Sequence, residues 1–248
     1  MNAKKHIARR QRQTAENPVL HAGQHALEEE SAMRSVRVWF QKIGAARYIS
    51  HLDLSRCIAR AAQRAKIPLW YTKGFNTHAY LTFALPLSLG FYGLHESFDF
   101  RIEGEISNEE IKERLKKALP RDLPILDVTE PVMKASAITF ASYEMKIDCD
   151  NPDELSEQFQ NMMKKEHLVV PKHTKSGWID LDIRSEIQKF SIEKAETGIL
   201  IDVLLPAGNQ FNLNPSLILT CAEKEFSFSK QAEIVRTELY DSSFKRFV

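Results

Sequence analysis

Residues 47–90 read RYISHLDLSRCIARAAQRAKIPLWYTKGFNTHAYLTFALPLSLG, and the fold prediction starts from them. Ser50-His51-Leu52-Asp53 resembles a capping box with Asp in the usual Glu position, which predicts a helix over Leu52–Lys66. Apolar residues recur along this helix at the spacing of one buried face. A polar loop at Gly74–His78 follows it. The two strands predicted beside that loop are Leu69–Thr72 and Leu81–Leu87.

The flanking sequence completes a six-element pattern in residues 33–134. Its other members are predicted strands at Val36–Ile43, Ser97–Ile102 and Pro124–Val132, and a helix that opens at the capping box Ser107-Asn108-Glu109-Glu110. The order is strand, helix, two strands, helix and strand, which is the βαββαβ order of ferredoxin-like folds.

Residues 141–248 repeat much of this order without repeating the sequence. The predicted strands are Ser142–Cys149, Leu168–Pro171, Trp178–Ile192, Gly198–Leu205 and Ala232–Tyr240, and the predicted helices open at Asn151-Pro152 and Asn214-Pro215. We therefore predict an α+β protein of two tandem ferredoxin-like halves with antiparallel sheets, comprising residues 33–134 and 141–248.

Composition narrows the class of protein and its compartment. Residues 1–32 are polar and lack apolar periodicity, so they form either a disordered leader or a misassigned start ahead of Met33. Three widely spaced cysteines without a Cys-x-x-Cys pair fit a reducing cytoplasm. The chain has neither a secretory signal nor a run of about 18 apolar residues, so we expect a cytoplasmic protein without a membrane span.

The net charge of +1 conceals a strong local imbalance. Residues 34–80 hold nine Lys and Arg against one acid, whereas residues 81–130 hold six bases and ten acids. A local excess of +8 beside a local −4 indicates an anionic ligand near the basic segment.

Arg56, Arg60 and Arg64 recur every four residues on the predicted helix. They form either a cationic ridge for phosphates, which arginine can bind with two parallel hydrogen bonds, or the solvated back of an amphipathic helix. In the loop that follows, an exposed Phe75 would stack on a base, whereas an inward Phe75 would belong to a structural turn. The spacing leaves both pairs of alternatives open.

His51 and Asp53 form a His-x-Asp pair at the helix start. Metal ligation there would need partners that the spacing does not reveal, so a cap with Asp53 as counter-charge to the helix N-terminus is the favoured interpretation. We expect no metal and no cofactor. The sequence shows no hydrolytic triad, phosphate-binding Walker loop or dinucleotide fingerprint.

The segment from Arg47 to Gly90 resembles the signature of the radical-SAM-linked proteins, a domain of unknown function designated family 2344. The resemblance is strong over Val36–Val132 and weaker through residues 178–181 and 234–239. Positions that match the signature are Tyr48, His51, Asp53, Arg56, Arg60, Gly74, Phe75, Asn76 and His78. Two prolines of the family's loop are Thr77 and Ala79 here, and Tyr80 replaces the basic or polar residue that follows.

The resemblance implies an accessory partner of a radical SAM enzyme. The chain lacks the Cys-x-x-x-Cys-x-x-Cys motif that holds the cluster of such enzymes, so we expect it to present a substrate rather than generate the radical. With the charge pattern, RNA is the expected anionic substrate. The residues predicted to bind the substrate or the partner are Arg47, Tyr48, His51, Asp53, Arg56, Arg60, Arg64, Lys73, Gly74, Phe75, Asn76 and His78.

The sequence leaves two alternative functions open. The tandem ferredoxin-like arrangement is similar to that of the CRISPR repeat-RNA endonucleases, which cleave without metal. In such an enzyme His51, Tyr48 and His78 would act as general acid and base. The other alternative is a purely structural scaffold for the partner enzyme.

Overall fold

The computed structural model describes residues 33–174, 177–208, 210–229 and 231–248. The predicted leader, residues 1–32, lies outside the described residues. The helices of the described part are α1 (His51–Arg64), α2 (Asn108–Ala118), α3 (Pro152–Met163) and α4 (Ser216–Phe226). The strands are β1 (Met33–Lys42), β2 (Leu81–Phe83), β3 (Tyr92–Glu103), β4 (Ile125–Thr129), β5 (Phe140–Asp148), β6 (Val169–Thr174), β7 (Gly177–Asp182), β8 (Lys189–Ala195), β9 (Gly198–Pro206) and β10 (Glu233–Tyr240).

The first four strands form an antiparallel array in the order β4-β1-β3-β2. Val36 of β1 lies opposite Phe100 of β3, and both side chains are completely buried. Helices α1 and α2 cover that face of the array, where Ile58 and Leu115 join the same apolar cluster. Each of the two helices begins at a serine whose side chain accepts a backbone hydrogen bond, as the capping boxes predict.

The remaining strands form a second antiparallel array in the order β10-β5-β9-β8. Its core joins Met145 of β5 and Ile201 of β9 to Phe159 of α3 and Ile218 of α4. Strands β6 and β7 pair only with each other and form a separate two-stranded sheet. The order of elements in this second part of the chain is strand, helix, four strands, helix and strand.

The two arrays merge into one eight-stranded sheet through a short parallel pairing of β3 with β10. Two residue pairs make this ladder, Val235 opposite Tyr92 and Arg236 opposite Gly93. A buried ion pair reinforces it, because Arg236 Nε donates to Glu96 Oε1 at 2.9 Å. Arg236 also donates to the carbonyl oxygen of Leu85 at 2.7 Å, so it binds the end of one array to the other.

A second connection joins β1 to the last residues of the sequence. Arg37 is completely buried and donates to both carboxylate oxygens of Asp99, each at 2.8 Å. Its third partner is the carbonyl oxygen of Val248 at 2.9 Å, and its guanidinium carbon lies 4.4 Å from the ring centroid of Phe247.

The prediction of a mixed, largely antiparallel fold is confirmed, but three strand predictions are wrong in their limits. Leu69–Thr72 makes isolated bridges only, because Leu69 pairs with Ile102 and Tyr71 pairs with Ala79. Leu81–Leu87 stops being a strand at Phe83, and Trp178–Ile192 is divided between β7 and β8.

Candidate functional site

Helix α1 presents the predicted arginines on its exposed face. Arg56 and Arg60 are exposed, and Arg60 makes no hydrogen bond or ion pair within the described part of the chain. Arg56 has a weak contact at 3.5 Å to Asp53, whose backbone N–H is capped by Ser50. Ser50 is therefore the cap of α1, and Asp53 lies in the first turn of the helix.

Arg64 differs from the other two arginines. Its Nη2 donates at 3.0 Å to the carbonyl oxygen of Ala118, the last residue of α2. Cations stabilise helix C-termini because the last carbonyl groups have no partner within the helix. Arg64 thus ties α1 to α2, and the exposed cationic ridge consists of Arg56 and Arg60.

The predicted loop is a projecting hairpin, residues 71–79, closed by its own hydrogen bonds. The N–H of Thr72 donates to the carbonyl oxygen of His78 at 2.9 Å, and His78 Nδ1 lies 2.9 Å from the carbonyl oxygen of Asn76. Gly74 has a φ of +136°, a backbone conformation that side chains other than glycine rarely adopt. At the tip, Phe75 has a relative exposure of 103%, so the inward-packed alternative is excluded.

The base of this hairpin contacts both β3 and α1. Arg101 stands over the rings of Tyr80 and Trp70, with its guanidinium carbon 4.6 and 5.4 Å from their centroids. Gln63 of α1 donates to the Tyr71 hydroxyl at 2.8 Å. The hairpin therefore contacts α1 at Gln63, about one helical turn beyond Arg60 of the ridge.

Arg47 and Tyr48 lie elsewhere, at a cleft of about 640 Å³ between the two arrays. The Arg47 guanidinium carbon is 4.6 Å from the ring centroids of both Tyr48 and Tyr92. Arg47 Nη2 donates to the Tyr48 hydroxyl, and Arg47 Nη1 donates to the Tyr92 hydroxyl. Its Nη1 also donates to Glu233 at 3.3 Å. Sequence analysis missed three cleft residues of the first half of the chain, Leu89, Gly90 and Phe91. The other missed residues come from the second half: Lys146, Asp148, Ser216, Leu219, Thr220, Glu223, Gln231, Ala232, Glu233 and Ile234.

The three residues of the enzyme alternative make separate contacts. Tyr48 is bonded to Arg47 at the cleft, and His78 is bonded within the hairpin. The His51 ring packs edge-on against Phe83, with ring centroids 4.7 Å apart. Within the described residues, no hydrogen bond or ring contact joins any two of these three side chains. The geometry thus gives no support to a shared acid–base site.

The pKa of His51 is lowered, first by burial and then by the nearby Lys42 ammonium. We expect NMR titration of the folded protein to place its midpoint below that of the urea-unfolded chain. Since the folded state favours the neutral ring, His51 destabilises the fold as pH drops below the usual histidine value. A folded-state midpoint at or above the unfolded one would contradict this prediction.

The described residues contain no group of three or more His, Cys, Asp or Glu side chains arranged to hold a metal ion. Within the same part of the chain, no helix is both long and apolar enough to cross a membrane.

Comparison with known proteins identifies a family. The sequence model described as "Uncharacterized protein conserved in bacteria (DUF2344)" matches residues 35–215. No curated protein matches the chain.

Three solved structures show weak structural similarity. A chain of the crystal structure of a Cbf5-Nop10-Gar1 complex has a TM-score of 0.41 and 11% identity; the match covers 77% of this chain and 46% of that one. This protein therefore spans less than half the length of that relative. An unknown protein from Galdieria sulphuraria gives a TM-score of 0.25 at 13% identity, covering 82% and 99% of the two chains. A putative glycine cleavage system transcriptional repressor gives 0.23 at 11% identity, covering 82% and 96%.

Proposed function

The chain belongs to the family of uncharacterized bacterial proteins DUF2344, and on that premise we propose that it is a non-catalytic RNA-binding accessory protein. The proposal that its partner is a radical SAM enzyme rests on the resemblance of residues 47–90 to the family signature. The protein presents single-stranded RNA through the arginine ridge and the hairpin 71–79.

One observation carries the RNA proposal. The Phe75 ring is fully exposed at the tip of a hairpin whose base is fixed by Arg101 and by the Gln63–Tyr71 hydrogen bond. Exposed aromatic rings beside cationic side chains are how proteins stack and hold the bases of single strands. Arg56 and Arg60 on the adjacent helix supply those cations.

We also propose that residues 33–134 and 141–248 are two ferredoxin-like units. The support is the order of the strands across each antiparallel array. In both arrays the first strand of the unit lies between the last and the third, and the second strand lies on the far side of the third. The β6–β7 hairpin is then an insertion between α3 and β8 in the second unit.

Salt dependence tests the RNA proposal. Fluorescence anisotropy with a labelled oligouridine of about 12 nucleotides should show affinity falling about sevenfold between ~50 and ~200 mM KCl, because Arg56 and Arg60 neutralise two phosphates. Affinity that does not change with salt, or the absence of binding, would contradict the proposal. A pull-down that retains both proteins and RNA distinguishes RNA binding from the scaffold alternative. The scaffold alternative predicts that an enzyme co-purifies without RNA.

Replacing Phe75 at the hairpin tip should weaken RNA binding and leave the stability of the fold almost unchanged. We expect Phe75→Ala to weaken oligouridine binding about 5- to 100-fold, since a stacked base contributes roughly 1–3 kcal/mol. The free energy of unfolding should change by less than about 0.5 kcal/mol, because the ring has no buried contacts. Phe75→Tyr is the matched control and should bind like the wild type. Equal affinity for Phe75→Ala and the wild type would exclude stacking at this position.

A further inference from the structure

The cleft between the two arrays is lined by Arg47 and Tyr48, which directly precede α1 and its arginine ridge in the sequence. Tyr48 lies on its wall, three residues before the helix begins at His51. Arg56 lies about one and a half helical turns, or roughly 8 Å along the helix axis, from the start of α1, so a strand bound at the ridge lies near the chain segment that lines the cleft. The volume of about 640 Å³ accommodates one nucleotide with space for solvent.

Tyr48 offers this cleft a flat and fixed surface. Its side chain remains 63% exposed although its hydroxyl is bonded to Arg47. Arg47 is itself held against Tyr92 and Glu233. The Tyr48 ring is therefore held from one side and open on the other, as a base-stacking surface requires.

The charges of the cleft disfavour a phosphate inside it. Lys146 lies 3.8 Å from Asp148, and Arg47 is paired with Glu233, so both bases face an acid. Glu223 of α4 is exposed and has no hydrogen bond or ion pair among the described residues. A free carboxylate in such a cleft favours a ligand that donates hydrogen bonds.

We propose that this cleft binds one guanine base of the single-stranded RNA, with Tyr48 stacked on the base and the Glu223 carboxylate accepting from its Watson–Crick edge. Guanine is favoured because its N1–H and exocyclic amino group donate side by side to one carboxylate. Uracil has a single ring N–H between two carbonyl oxygens, which the carboxylate would repel. This inference rests on the proposed RNA-binding function and deepens it.

The test compares two oligonucleotides by fluorescence anisotropy. One is oligouridine of about 12 nucleotides, and the other carries a single central guanosine. The wild type should bind the second about tenfold more tightly, as expected for a two-donor pair. Glu223→Ala should abolish that preference and leave oligouridine affinity no weaker than in the wild type.

Glu157→Ala is the matched control, because it removes the same charge from an exposed position on α3, and it should keep the preference. Tyr48→Ala should also reduce the preference, while Tyr48→Phe should retain most of it. Equal binding of both oligonucleotides by the wild type, or a preference that survives Glu223→Ala, would overturn the guanine site alone. If neither oligonucleotide binds, the proposed function fails as well.

Discussion

Arg236→Ala should lower the free energy of unfolding by about 3–5 kcal/mol, the largest loss of stability that we expect from a single substitution. Arg236 and Glu96 retain only 3% and 4% exposure, so removing the cation leaves a buried carboxylate without its charge partner. The substitution also frees the carbonyl oxygens of Leu85 and Pro86, which accept from the guanidinium at 2.7 and 3.3 Å. Urea denaturation followed by circular dichroism measures the loss.

Two variants test whether the unpaired charge is the cause. Lys116→Ala removes an exposed ion pair with Glu113 on α2 and should cost less than about 1 kcal/mol. Arg236→Met combined with Glu96→Gln removes both charges, and we expect it to be more stable than Arg236→Ala alone. The explanation would be wrong if the double variant were the less stable of the two, or if Arg236→Ala cost no more than Lys116→Ala.

Reversing the charge of the ridge should have the largest effect on RNA binding. We expect Arg56→Glu combined with Arg60→Glu to weaken oligouridine affinity about 100-fold, since each charge-assisted contact to phosphate contributes roughly 1.5 kcal/mol or more. Both side chains are exposed, so the fold should persist. Arg64 is left unchanged because its bond to Ala118 supports the packing of α1 on α2.

The control for this variant changes net charge by the same amount elsewhere. Lys164→Glu combined with Lys189→Glu reverses two exposed bases in the second half of the chain, and its affinity should fall less than about threefold. Anisotropy at one fixed salt concentration compares the two double variants. Equal losses would show that binding responds to total charge and not to the ridge.

Local signals in the sequence predicted where helix α1 begins. The Ser50–Asp53 box places the start of α1, because a side chain that caps the first turn lies within three residues of its partner. The exposure of Phe75 could not be predicted, since Gly74–His78 is equally suited to an inward turn. The two loop prolines of the family signature are absent here, and the hairpin is instead closed by Thr72 and His78.

Longer-range effects explain the features that sequence analysis missed. β2 ends at Phe83, and farther along this segment the carbonyl oxygens of Leu85 and Pro86 accept from Arg236, about 150 residues away in sequence. The cleft combines Tyr48 with Glu223 on α4. No spacing rule connects positions so far apart, because only the merging of the two arrays brings them together.

The contact of Arg37 with Val248 has a consequence for protein synthesis. The two residues are 211 positions apart, so a ribosome completes β1 long before it adds the carbonyl group that β1 needs. During that interval a nascent chain holds Arg37 with only part of its final set of acceptors, and the Phe247 ring does not yet cover it. The first array therefore reaches its final packing only once Val248, which supplies that carbonyl group, has been synthesised.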